Sequence, residues 1–225
     1  MHREIISQGS EGTPVGTILA SRRATLSGAL SELMNRPGDL ARVAELLVRT
    51  LRRGRKVLAA GNGGSAAEAQ HFVAELMGRF LREREAYSAV ALTADSALLT
   101  AVANDYGYQE VFARQVQGLG RPDDVLLLFS TSGESANLLR AVDAARRKGI
   151  TVVAITGGKP NTLAQLADLV VMAPARETAI VQELHMILTH VLCGLVEAEL
   201  ATAETDRGGL VPNVMVEAIE RAASA

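Results

Sequence analysis

Five short apolar runs, each set off from the next by a helical stretch, constrain this chain more than any other feature. They fall at residues 56–60, 88–92, 124–129, 150–155 and 168–172. Val125-Leu126-Leu127-Leu128-Phe129 is apolar throughout instead of alternating, as a strand buried on both faces should be. Helical periodicity fills the gaps at 65–80, 96–104, 109–119, 135–148 and 161–166. Alternation of this kind predicts an α/β fold, a three-layer α/β/α sandwich around a five-stranded parallel sheet. Two helices at 17–34 and 39–53 come before any strand and predict an N-terminal helical hairpin, packed on the core or on another subunit. A long helix at 177–203 and a short one at 214–223 close the chain. Residues 1–16, with Gly9, Gly12, Pro14 and Gly16, read as a flexible leader, which leaves 17–225 as a single domain.

At 225 residues the chain is long enough for one full-sized core. Aromatic residues make up only 3% and Trp is absent, so that core must rest on Leu, Val, Ala and Ile. The net charge of −2 offers no basic excess, which argues against nucleic acid as the main partner. A small anion remains open, because it needs local donors and not global charge. Cys193 is the sole cysteine, so no intrachain disulfide forms and a reducing compartment is expected. Its apolar neighbours predict a buried, inert thiol. The first residues lack the apolar segment of a signal peptide. No apolar run is read as approaching the ~20 residues of a membrane helix. A cytoplasmic protein without a membrane partner is therefore expected.

Two turns carry the chemistry. Gly61-Asn62-Gly63-Gly64-Ser65 follows the first strand and opens a helix, where free backbone N–H groups can receive an anion. Ser130-Thr131-Ser132-Gly133-Glu134-Ser135 follows the third strand and opens another. Three serine hydroxyls, a threonine, a glycine and a helix N-terminus suit a phosphate monoester. The plainer reading is that Ser135 caps a helix while Ser130 and Ser132 fill a tight turn. Neither the Walker nor the dinucleotide pattern is present, which points to a sugar phosphate more than to a nucleotide.

His71 and Glu75 stand four residues apart and share a helix face, a spacing that suits a metal pair or an acid/base pair equally. It also suits a bare surface contact worth a few tenths of a kcal/mol. Gln182 and His190 lie on the long, otherwise apolar helix, roughly 80° apart around its axis, so both can face one cavity. His185 points elsewhere and is read as structural. Asn104-Asp105-Tyr106-Gly107-Tyr108 interrupts two helices, either as a plain stop or as a loop lining the pocket.

Together these segments, spanning about residues 26–200, resemble the sugar isomerase (SIS) fold and, within it, the phosphoheptose isomerases. The matching pieces are Gly61-Asn62-Gly63-Gly64-Ser65 with His71-Phe72-Val73-Ala74-Glu75-Leu76, then the run from Thr100 to Tyr108. Ser130-Thr131-Ser132-Gly133-Glu134-Ser135 and Gln182-Glu183-Leu184-His185 complete them. The resemblance implies a homotetramer of flavodoxin-like domains with active sites at subunit interfaces. It implies conversion of sedoheptulose 7-phosphate to a D-glycero-heptose 7-phosphate of D-glycero-D-manno configuration. By motif, Glu75 would be the base that moves a proton between C1 and C2, with His190 as its acid/base partner. Ser65, Ser130, Thr131, Ser132 and Ser135 would take the phosphate, while Asn62, Gly63, Asp105 and Gln182 line the sugar. Some members bind zinc, which would make His71, Glu75, Gln182 and His190 its ligands.

Two positions depart from the family pattern: Glu134 stands where relatives commonly carry Asn, and Ile180 where they carry Arg. A non-catalytic branch of the same fold, a replication-initiator-associating scaffold, keeps the serine turn but lacks the carboxylate and imidazole matching Glu75 and His190. A sugar-phosphate-binding regulator or scaffold is therefore the alternative function. An amino-sugar or pentose phosphate is the alternative substrate.

Overall fold

The structure is a computed structural model and describes residues 13–205. The helix expected at 214–223 lies outside the described residues. Helices α1 (Pro14–Met34) and α2 (Pro37–Arg52) form the hairpin. Strand β1 (Val57–Ala60) and helix α3 (Gly64–Met77) follow, then β2 (Ala89–Ala91), α4 (Ser96–Tyr106) and α5 (Val111–Leu119). Next come β3 (Val125–Ser130), α6 (Ala136–Arg147), β4 (Thr151–Gly157), α7 (Thr162–Leu166), β5 (Leu169–Ala173) and α8 (Thr178–Thr205). All five expected strands form.

The sheet is parallel throughout, in the order β2-β1-β3-β4-β5. Side chains alternate across it with period two. Val57, Ala59, Val125, Leu127, Phe129, Val153 and Ile155 pack with residues of α2, α3 and α8 on one face. Leu58, Ala60, Leu126, Leu128, Val152 and Ala154 pack with residues of α4, α5, α6 and α7 on the other. Both faces are dry, which is why the strands read as unbroken apolar runs.

The ends of the elements account for most of the shifted boundaries. α1 starts at Pro14, not at residue 17: the Thr13 hydroxyl accepts from the Gly16 N–H at 3.0 Å, and Pro14 supplies a first-turn φ at no cost in donors. The expected leader is thus shortened by this helix. Pro37 opens α2, two residues before the expected start at 39. α4 runs on through Asn104, Asp105 and Tyr106 and stops at Gly107. In α8, Thr178–Ala201 is long and apolar enough by length and composition to cross a membrane, contrary to the expectation that no such run exists. More than half of that stretch is buried, in packing against α2, α3 and the sheet.

Candidate active site

β1 and β3 are neighbours, yet the chain leaves β1 for β2 on one side and returns to β3 on the other. A crevice opens at such a reversal, beyond the carboxyl ends of the two strands. Both sequence turns fall there. Asn62 and Asn137 exchange amide hydrogen bonds across it, Asn62 Nδ2 donating to Asn137 Oδ1 at 2.9 Å and Asn137 Nδ2 to Asn62 Oδ1 at 2.8 Å. The Tyr108 hydroxyl donates to the same Asn62 Oδ1 at 3.0 Å. A cavity of about 450 Å³ lies between Asn62, Tyr108, Gln109, Ser135, Ala136 and Asn137.

Gly63 is the N-cap of α3, and Ser65 is buried in its first turn. In the second turn, Ser130 Oγ accepts from the Gly133 N–H at 2.9 Å and Ser132 Oγ from the Glu134 N–H at 3.3 Å. Those bonds use acceptor lone pairs, so each hydroxyl keeps its O–H for an oxyanion. Ser135 is the N-cap residue of α6 but makes no side-chain cap bond, so the plain capping reading fails for its hydroxyl, and the residue lines the cavity. Thr131 is half-buried beside them. Gly133 has φ +69°, and a Cβ there would meet Asn161 Oδ1 at 2.0 Å; only glycine fits both demands. Glu134 is turned out of the site, its carboxylate accepting from the Thr162 N–H at 2.8 Å and the Thr162 hydroxyl at 2.7 Å. Those two bonds hold its pKa below the usual carboxylate range.

Polar side chains come in register where α3 packs on α8. Gln182 lies against Gly64 so closely that a Cβ on Gly64 would fall 2.1 Å from the Gln182 Nε2. One turn on, His185 Nδ1 meets Glu68 Oε2 at 3.1 Å, both side chains buried, as befits the structural role read for His185. Further along, His71 Nε2 lies 2.9 Å from His190 Nε2 and 3.2 Å from Glu75 Oε1. One ligand atom from each of these three side chains falls within 4.8 Å of the others. Two imidazole nitrogens and a carboxylate oxygen converging on one point form a donor set that suits a borderline cation such as zinc. The cluster is open to solvent, with His190 exposed and His71 and Glu75 half-buried.

Asp105 sits on the exposed last turn of α4, where its Oδ1 accepts from Asn104 Nδ2 at 2.9 Å. Tyr108, directly after the helix stop at Gly107, is the residue of that segment that reaches Asn62. Tyr108 closes the segment that the sequence offers as a pocket-lining loop, whereas Asn137 is not singled out there, although a polar residue in the apolar start of α6 is a usable signal for it. Cys193 is buried as expected. Burial, then the negative charges of Glu75 and Glu197, push its thiol up to about 12, so it is not a nucleophile.

Comparison with known proteins fits this geometry. The SIS domain model matches residues 23–157. A phosphoheptose isomerase of Rhodospirillum rubrum is 48% identical over 163 residues, 72% of this chain and 87% of that protein. The structure of a phosphoheptose isomerase from Francisella tularensis superposes with a TM-score of 0.78 at 38% identity, covering 81% of this chain and 97% of the other. That of Neisseria gonorrhoeae gives a TM-score of 0.76 at 40% identity, covering 81% and 98%. The chain is an enzyme of the SIS-domain family and belongs, within it, to the phosphoheptose isomerases.

Proposed function

We propose that this protein isomerises sedoheptulose 7-phosphate to D-glycero-D-manno-heptose 7-phosphate. The observation that carries the reading is the convergence of Glu75, His71 and His190 from two helices that both begin at the sheet's ligand-binding edge. Similarity to proteins known as phosphoheptose isomerases supports the substrate class. The non-catalytic alternative loses ground because it has no use for a carboxylate and two imidazoles held within hydrogen-bond reach.

The ester is held at the two turns, by the O–H groups of Ser65, Ser130, Thr131, Ser132 and Ser135 and by the N-terminal N–H groups of α6. Asn62, Gly63, Asp105 and Gln182 line the sugar. This grip fixes the far end of the substrate, and its binding energy orients C1 and C2. The Glu75 carboxylate takes a proton from C1 of the ketose and returns it to C2. His190 Nε2 gives a proton to the C2 oxygen and takes one back from the hydroxyl on C1 as the aldehyde forms. Positioned groups of this kind typically contribute about 10²–10⁴-fold each. His71, Glu75 and His190 would hold a zinc ion; Gln182, the fourth ligand that the resemblance implies, packs against Gly64 about two helical turns before His71. Such an ion, held by the same atoms, would instead polarise the carbonyl and hydroxyl oxygens. The reading includes a homotetramer with sites at subunit interfaces, in the cytoplasm, and no nucleic-acid or membrane partner.

The test follows sedoheptulose 7-phosphate by NMR with purified protein, with and without added zinc. A new aldose phosphate is expected, with kcat lowered on the order of 10²–10⁴-fold in Glu75→Gln. No turnover under either condition, or full activity in Glu75→Gln, overturns the assignment.

A further inference from the structure

Beyond the cluster lies a buried ion pair that the chemistry above does not use. Arg84 Nε and Glu197 Oε1 are 2.9 Å apart, with side chains 1% and 3% exposed. Burying two charges is costly unless every remaining donor and lone pair is met. Here they are met in a particular way. The Arg84 guanidinium donates to the Glu75 carbonyl at 2.7 Å and to the Leu76 carbonyl at 3.0 Å, two of the carbonyls left orphaned where α3 ends. The Glu197 carboxylate accepts from the backbone N–H groups of Phe80, Leu81 and Arg82 at 3.2, 2.8 and 3.0 Å. The loop so captured lays the Phe80 ring on His190, with centroids 5.6 Å apart and planes 19° off parallel. His71 meets the His190 ring edge-on, at 5.1 Å and 66°.

We propose that Arg84 and Glu197 are positioning residues for the isomerisation, Arg84 fixing the turn that bears Glu75 and Glu197 fixing His190 through Phe80. The proposal rests on the roles given to Glu75 and His190. It goes beyond them by joining α3, α8 and the intervening loop through one buried pair. Neither residue touches substrate in this scheme. Each acts on the orientation of a group that does, so its loss lowers kcat more than it raises KM. A misplacement of the order of 1 Å suffices for such an effect.

The experiment uses the full chain with ¹³C-labelled histidine and compares Glu197→Gln, Arg84→Lys and Phe80→Leu with Val116→Ala. Val116 is buried in α5, away from the site, so its truncation reports a general stability loss. His190 ring signals are identified by their disappearance in His190→Asn. An upfield ring-current shift of His190 is expected in the wild type, lost in Phe80→Leu and reduced in Glu197→Gln. The three site-side variants are expected to lose about ten- to a hundredfold in kcat with KM within about twofold. Val116→Ala is expected to keep its kcat. Unmoved His190 signals in Glu197→Gln, or an equal kcat loss in Val116→Ala at matched thermal midpoint, overturn the proposal. If Glu197→Gln does not fold, Arg84→Lys decides, because it keeps the charge of the pair but not the guanidinium's bonds to the end of α3, and an unchanged kcat in it overturns the proposal. Full activity in His190→Asn or Glu75→Gln would fell the parent reading instead, while the ring-current result would still report whether the pair positions His190.

Discussion

Glu134 puts a negative charge in the same turn whose hydroxyls would take an ester dianion in the proposed function. The conflict is resolved locally. Two bonds from Thr162 draw the carboxylate to the start of α7, and they exist only while it is ionised enough to accept both. They depress its pKa, the side-chain bond from the Thr162 hydroxyl first and the backbone bond second. A depressed folded-state pKa means that the ionised group stabilises the fold. That contribution is complete above the unfolded value and fades as pH falls through the folded one. Urea midpoints of the wild type and Glu134→Gln should therefore differ at neutral pH, with the wild type the more stable. The gap should begin to close as pH drops below the ordinary value of 4.5. The group is fully exposed, so the gap is small. A gap that stays constant down to pH 3 would mean that the carboxylate does not use these bonds.

Elements are tied together at the end of the sheet opposite the crevice by another carboxylate. Asp124, at the start of β3, is buried and receives the Lys56 ammonium at 2.6 Å, the Lys56 N–H at 3.0 Å and the Arg121 N–H at 2.8 Å. It thereby sets the register of β1 against β3, the two strands whose far ends carry the turns. Asp124→Ala leaves a mostly buried ammonium and two N–H groups without a partner and should cost about 3 kcal/mol in chemical denaturation. The kcat should be unchanged, because the loss is at the far end; a loss of kcat with unaltered stability would place Asp124 in the site instead. At this scale the sequence was legible, since strands dry on both faces announce themselves as Val-Leu runs and their parallel arrangement follows from β/α alternation. Ends were harder to read: Pro14 and Pro37 each open a helix, and a proline marks a first turn as readily as a stop. Pairs such as Asn62 with Asn137 and Arg84 with Glu197 join residues far apart in the chain, and no local period reports them.

The whole molecule, taken as one chain, leaves apolar surface that an isolated domain does not need. On α1, Val15, Ile18 and Leu19 are 64%, 62% and 64% exposed, and only Ala29 of that helix is buried. A groove of about 870 Å³ runs between α1, α2, β5 and α8, lined by Leu33, Met34, Met172, Ile187 and Val191 among others. β5 is an edge strand whose outer backbone pairs with no described residue in the sheet, and such an edge is normally covered or charged. Apolar patches of this extent mark interaction surfaces, and the proposed homotetramer, with its sites at subunit interfaces, would cover them with copies of the same face. The half-open cluster of His71, Glu75 and His190 would have the same need in the proposed reaction, because proton transfer beside a carbonyl is better served away from bulk water. Light scattering on the eluting protein should give four times the chain's 23.8 kDa. Ile18→Glu combined with Leu19→Glu puts charge in the middle of the exposed α1 face, far in sequence from every residue assigned a chemical role. It should shift that mass toward smaller species and lower activity in step with dissociation, both recovering at high protein concentration. A wild-type mass of one chain at every concentration, with full turnover, would show that α1 and the groove serve something other than self-association and that each site is complete within a single subunit.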